Sequence, residues 1–98
     1  MVVLIPTKEM VFYPHVTNPK DHPQLDQVVA NESRLKSEWT AEFDRDGIDY
    51  VDVMPALRQT QAQPYPEDFD GHPTAAGHQI IGAEVAMRIA DKRRRAAQ

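Results

Sequence analysis

Asp70 and His72 stand two residues apart within DFDGHPTAAGH, the stretch from Asp68 to His78, just ahead of Pro73 and Thr74. A carboxylate beside an imidazole can hold the ring's tautomer and stabilise the imidazolium that forms when it takes a proton. That is how a histidine is made to activate a hydroxyl. His72 therefore reads as a general base and Asp70 as its orienting acid, with Asp68 the alternative acid. The plain structural reading is a histidine that locks its own loop through Asp70.

The chain shows no nucleophile to go with that base. Ser33 and Ser37 fall within a helical pattern, where a hydroxyl tends to bond back to the preceding turn, and both read as surface serines. His15 and His22 lie seven apart on proline-rich, irregular chain and read as solvent-facing. His78, six after His72, lacks a third His or Cys at a ligand spacing, so no metal site is expected. With no cysteine there is neither a disulfide framework nor a Cys-based zinc site, and no cofactor is implied.

Composition bounds the partners. A net charge of -4 argues against nucleic acid, which needs a basic surface. The one basic run, Lys92 to Arg95, suits the negative end of a helix macrodipole. The apolar run Val2 to Ile5 is too short for a signal sequence or a membrane span, so no membrane partner is expected. Ninety-eight residues make one domain or a piece of one.

The elements that must position Asp70 and His72 follow from periodicity. Val2 to Ile5 is aliphatic without alternation, the pattern of a strand buried on both faces of a parallel sheet. Pro6, Thr7 and Lys8 then leave its C-terminal end, where open α/β sheets carry their ligand loops, with Lys8 and Glu9 read as a solvated pair. Pro14, Pro19 and Pro23 make residues 13 to 24 a surface loop. Leu25, Val28, Val29, Leu35, Trp39 and Phe43 predict an amphipathic helix over residues 24–45 that covers one sheet face, ended by Asp46 and Gly47. A second strand spans 48–53 and a short helix 55–62. The loop 64–73 carries Asp70 and His72, and a final helix spans 74–92 with Thr74 as its N-cap, packed on more than one side.

Two strands of this kind belong inside a larger sheet covered by helices. The expected fold is thus α/β: the C-terminal half of a doubly wound domain with parallel strands, or a protomer that completes its sheet by association.

The wording of the segment adds to this. DGHPTAAGHQIIGAEVA resembles the C-terminal block of the SGNH (GDSL-type) hydrolases, in which an Asp and a His precede a Pro, a small polar residue and a helix opening with Ala and Gly. The resemblance runs over roughly residues 64 to 90. Many members space the pair as D-x-x-H, but three before His72 stands Phe69, and D-x-H is the spacing of the branch that resembles alginate O-acetyltransferases. LIPTKEMVFYP is similar to the strand and loop of that branch, and Val51, Asp52, Val53, Pro55, Ala56 and Leu57 to its next strand and short helix, with Asp52 structural or at the rim.

The resemblance implies a flavodoxin-like, three-layer domain with a long final helix, and an ester hydrolase or O-acyltransferase acting on an ester or acetylated small molecule or glycan. His72 would be its base and Asp70 its acid. It also implies that the Gly-Asp-Ser block and the oxyanion-hole blocks precede what is present, since no Gly-Asp-Ser or Gly-x-Asn occurs here. The isolated chain is then expected to turn over little substrate, and its partners would be a homo-oligomer or an N-terminal half-domain. The alternative is a non-catalytic binding or assembly module that completes its sheet with a partner chain.

Overall fold

The structure is a computed structural model describing residues 1–98. Strands β1 (Val2–Leu4) and β2 (Tyr50–Asp52) pair in parallel, Val2 opposite Tyr50, Val3 opposite Val51 and Leu4 opposite Asp52. Parallel strands need a long crossover. Here it runs through α1 (Lys8–Phe12), two 3-10 turns (Tyr13–His15 and Pro19–Asp21) and α2 (Pro23–Asp46). After β2 come α3 (Met54–Gln59), an irregular stretch to Thr74, and α4 (Ala75–Ala96). The molecule is mixed α/β with a small two-stranded parallel sheet.

Alternation along the strands sends side chains to two faces. Val3 and Val51 pack with Ile80 and Ile81 of α4 against a core of Val11, Val53, Leu57 and Tyr65. Tyr50 and Asp52 point to the other face, where α2 lies: the Phe43 and Tyr50 rings are 5.8 Å apart, and Lys36 Nζ is 2.5 Å from Asp52 Oδ2. Only seven of 98 residues are buried, so most apolar side chains keep one side in water.

Several expectations need correction. The strands are three residues long and half-buried, and each forms an edge of the sheet, where the aliphatic run from Val2 to Ile5 pointed to an interior strand. An apolar run reports which groups avoid water, not whether a neighbouring strand covers them. On α2 the half-buried positions include Val29, Glu32, Lys36 and Phe43, whereas Val28, Leu35 and Trp39 form a second, exposed apolar stripe. The last helix extends to Ala96, and Met87 and Ile89 are exposed, so its second half packs on one side at most.

Residues 8–12, read as part of a loop, form α1, because Thr7 is an N-cap whose Oγ1 accepts from the Met10 N–H. The proline-rich stretch holds two short 3-10 turns. Gly47 closes α2 at φ 67°, a left-handed conformation that glycine adopts without Cβ strain, and lets Ile48 N–H reach Phe43 O at 2.8 Å.

Tyr65 ties the irregular stretch to the end of β1. Its ring is 1% exposed and meets Phe12 edge to face, and its hydroxyl donates to Pro6 O at 2.7 Å. Tyr65→Phe keeps the packing and loses that bond, so a loss of about 1 kcal/mol is expected. In urea unfolding the midpoint should fall with the slope unchanged; an unmoved midpoint would show that the bond adds nothing over water.

Candidate active site

The stretch from Gln63 to Thr74 has no regular structure, yet its backbone is tied at both ends. Thr74 N–H donates to Pro64 O at 2.9 Å, and Thr74 Oγ1–H to Gln63 O at 2.6 Å. The same Oγ1 accepts from Gly77 N–H at 3.1 Å, which caps α4. Between these ties the two aspartates fold the chain through successive side-chain turns. Asp68 Oδ1 accepts from Asp70 N–H at 2.9 Å, and Asp70 Oδ1 from His72 N–H at 2.9 Å. Phe69, between them, stands wholly in solvent.

Lys8 fastens this loop to the body. Its Nζ donates to Asp68 O at 2.5 Å and to Asp70 O at 3.4 Å. Reading Lys8 as a solvated loop residue therefore needs correction, since it reaches across sixty residues of chain to hold the loop at the C-terminal end of β1. Arg58 does similar work beneath, with Nε and Nη2 donating to Met10 O at 3.0 and 2.6 Å. Neither tie has a signal in local sequence beyond Lys8 following the strand.

Asp70 Oδ1 also meets His72 Nδ1 at 2.6 Å. An ionised carboxylate can only accept, so Nδ1 carries the hydrogen, and in the neutral ring Nε2 is left as a bare acceptor. Nε2 bonds no group of the chain, and the side chain is 91% exposed against 54% for Asp70. Asp68 uses its carboxylate on the backbone of Asp70 and does not bond the ring.

The remaining candidates lie apart. Ser33 contacts Met10 Sδ at 4.0 Å, and neither it nor Ser37 bonds the loop. Asp52 Oδ1 accepts from Met54 N–H at 3.0 Å where α3 begins, and Asp52 Oδ2 pairs with Lys36. His15, His22 and His78 are exposed, and no group of three or more His, Asp or Glu is placed to hold a metal ion.

The hydrogen bonds from His72, the backbone N–H first and the ring second, hold the Asp70 carboxyl below its usual range, with Lys8 adding to the effect. A depressed carboxylate contributes stability that is present above the unfolded-state value of about 3.9 and is lost as pH falls through the folded value. The pair is open to solvent, so the contribution is small. Asp70→Asn should melt slightly below the native protein at pH 7, with the gap closing on acidification below about pH 4. A gap that persisted into strong acid would mean that the carboxylate's charge is not what the loop uses.

Compared with known proteins, the chain matches no family model, no curated protein and no solved structure.

Proposed function

We propose that Asp70 and His72 are the acid and base of a Ser-His-Asp site that cleaves or transfers an ester or acetyl group. The serine and the oxyanion donors would come from outside residues 1–98. One observation carries the reading: the carboxylate holds His72 Nδ1 at 2.6 Å and leaves Nε2 free, the tautomer that takes a proton from a hydroxyl. The position agrees, since the pair sits on a loop held by Lys8 just past the C-terminal end of a parallel strand, where open α/β sheets bind ligands. The resemblance of Asp70 to Ala86 to the SGNH hydrolases names the larger fold, a doubly wound three-layer domain of which this chain supplies the C-terminal half. The substrate class is an ester or acetylated small molecule or glycan.

The 91% exposure of His72 fits a half-site. Oxyanion donors are worth roughly 3 kcal/mol or more of barrier, and they act fully only where water is excluded. The test joins residues 1–98 to a segment that brings a strand ending in Gly-Asp-Ser and measures hydrolysis of p-nitrophenyl acetate. Turnover that depends on the added serine and on His72 is expected. Turnover that needs the serine but not His72 overturns the reading.

A further inference from the structure

The guanidinium of Arg58 is only half used. Nε and Nη2 both donate to Met10 O, at 3.0 and 2.6 Å, which occupies one edge of the planar fork. The other edge, formed by Nη1 and the second N–H of Nη2, bonds no group of the chain, and no carboxylate lies within 4.0 Å of it. A free edge of this kind takes a carboxylate through two parallel hydrogen bonds.

Arg58 borders a cleft of about 370 Å³ that lies between the chain near Val11 to Val16, helix α3, and the stretch from Thr60 to Pro64. The sequence holds 15 Asp and Glu, and each of the other four clefts on the molecule has at least one in its walls, yet this one has none. Its apolar wall is made by Val11 and Leu57, each 1% exposed, with Phe12 and Val16 half-buried. None of the chain's large exposed apolar side chains lies in it, so no apolar surface here awaits cover by another chain. The volume falls within the range of small-molecule pockets, roughly 300–1,000 Å³. The walls are also set in place. Thr60 Oγ1 accepts from Ala62 N–H at 3.1 Å, and Gln63 O and Pro64 O accept from the Thr74 hydroxyl and N–H at 2.6 and 2.9 Å.

We propose that this cleft binds a small monocarboxylate with an apolar body, its carboxylate on the free edge of Arg58 and its body against Val11, Phe12, Val16 and Leu57. One guanidinium balances one negative charge, so a phosphate or a dicarboxylate would leave charge unmatched beside an apolar wall. A neutral apolar molecule would cover the free N–H groups without accepting from them, which costs their hydration. His15, the other titratable residue at the cleft, is exposed and can donate from a ring nitrogen in either protonation state. The site is independent of the Ser-His-Asp reading, since neither Asp70 nor His72 borders the cleft.

The test titrates the full chain with benzoate and, separately, with benzamide, which has the same shape and no charge, while the NMR signals of Arg58 Nε–H and of the Thr60 and Gln63 amides are followed. Benzoate should shift all three saturably with Kd of about 1 mM, and benzamide should bind at least about tenfold more weakly, because it lacks the charge-assisted pair. Arg58→Gln should abolish benzoate binding. If that variant is unfolded through loss of the Met10 tie, Ala62→Asp serves, since Ala62 is exposed and lines the cleft. A carboxylate there competes with the probe for Arg58 and should weaken benzoate by about tenfold while leaving benzamide unchanged. Equal affinity for benzoate and benzamide overturns the proposal, as does displacement of benzoate by an equal concentration of inorganic phosphate. So does the absence of a saturable shift at Arg58 up to about 50 mM benzoate, or a benzoate response confined to Lys8 and His72.

Discussion

In a domain completed by a serine-bearing segment, His72→Ala is expected to lower kcat/KM for ester hydrolysis by roughly a thousandfold or more, the upper part of the range for a lost general base. Asp70→Asn should lose a comparable factor by a different route. Its side-chain oxygen can still accept from His72 N–H, which the native chain donates at 2.9 Å, so the loop keeps its shape. Its amide, however, can present hydrogens toward the ring, and the Nδ1–H tautomer loses its partner. The double variant should be little worse than either single one, because the two groups act as a unit. Asp68→Asn is the control. Asp68 Oδ1 accepts from a backbone N–H at 2.9 Å, a role that an asparagine oxygen fills, so activity should stay within a few-fold of native. Steady-state kinetics on the four variants decides the matter: full activity in His72→Ala excludes it as the base, and a large loss in Asp68→Asn with little in Asp70→Asn transfers the acid to Asp68.

What was legible in the sequence was local. Helix α2 was expected over 24–45 and spans Pro23–Asp46, since an amphipathic repeat and a glycine in left-handed conformation are written within a few residues of each other. Thr74 could be read as a cap for the same reason. The closeness of Asp70 to His72 follows from their separation of two. What was not legible depends on distant chain. Lys8 reaches Asp68 across sixty residues, Tyr65 reaches Pro6 across 59, and Arg58 reaches Met10 across 48. No periodicity announces such ties. Helix α1 lay between these cases, because Thr7 is an ordinary cap residue whose signal was masked by Pro6 and by the strand end before it. The strands show a different limit. The aliphatic run at Val2 to Ile5 reports side chains that avoid water and carries no information about edges, so it could not show that β1 pairs with β2 on one edge alone. Leu35 and Trp39 of α2 are likewise apolar and exposed.

The other large effect expected is structural, and it concerns how the loop bearing His72 is seated on α4. Gly77 is the one buried residue of that helix. A Cβ there falls 2.3 Å from Pro64 O and 3.0 Å from Pro73 Cβ. The first of these is a backbone atom, so the contact cannot be relieved by a side-chain rotation. Moving Pro64 O disturbs the bond it accepts from Thr74 N–H at 2.9 Å, and with it the cap at which Thr74 Oγ1 accepts from Gly77 N–H. Alanine gains up to ~1 kcal/mol of helix propensity over glycine, but overpacking against a fixed backbone costs ~1–3 kcal/mol and sometimes more. A net loss of about 2 kcal/mol is expected for Gly77→Ala, which at this chain length lowers Tm by roughly 10 °C. Gly82 provides the contrast on the same helix, since nothing lies within 4 Å of its Cβ position. There the propensity gain stands alone, and Gly82→Ala should raise Tm by roughly 4 °C. Thermal unfolding of the two variants, followed by circular dichroism, should therefore move in opposite directions. If Gly77→Ala is also stabilising, the loop is not seated on α4 through Pro64, and the placement of Asp70 and His72 has to rest on Lys8 and Tyr65 alone.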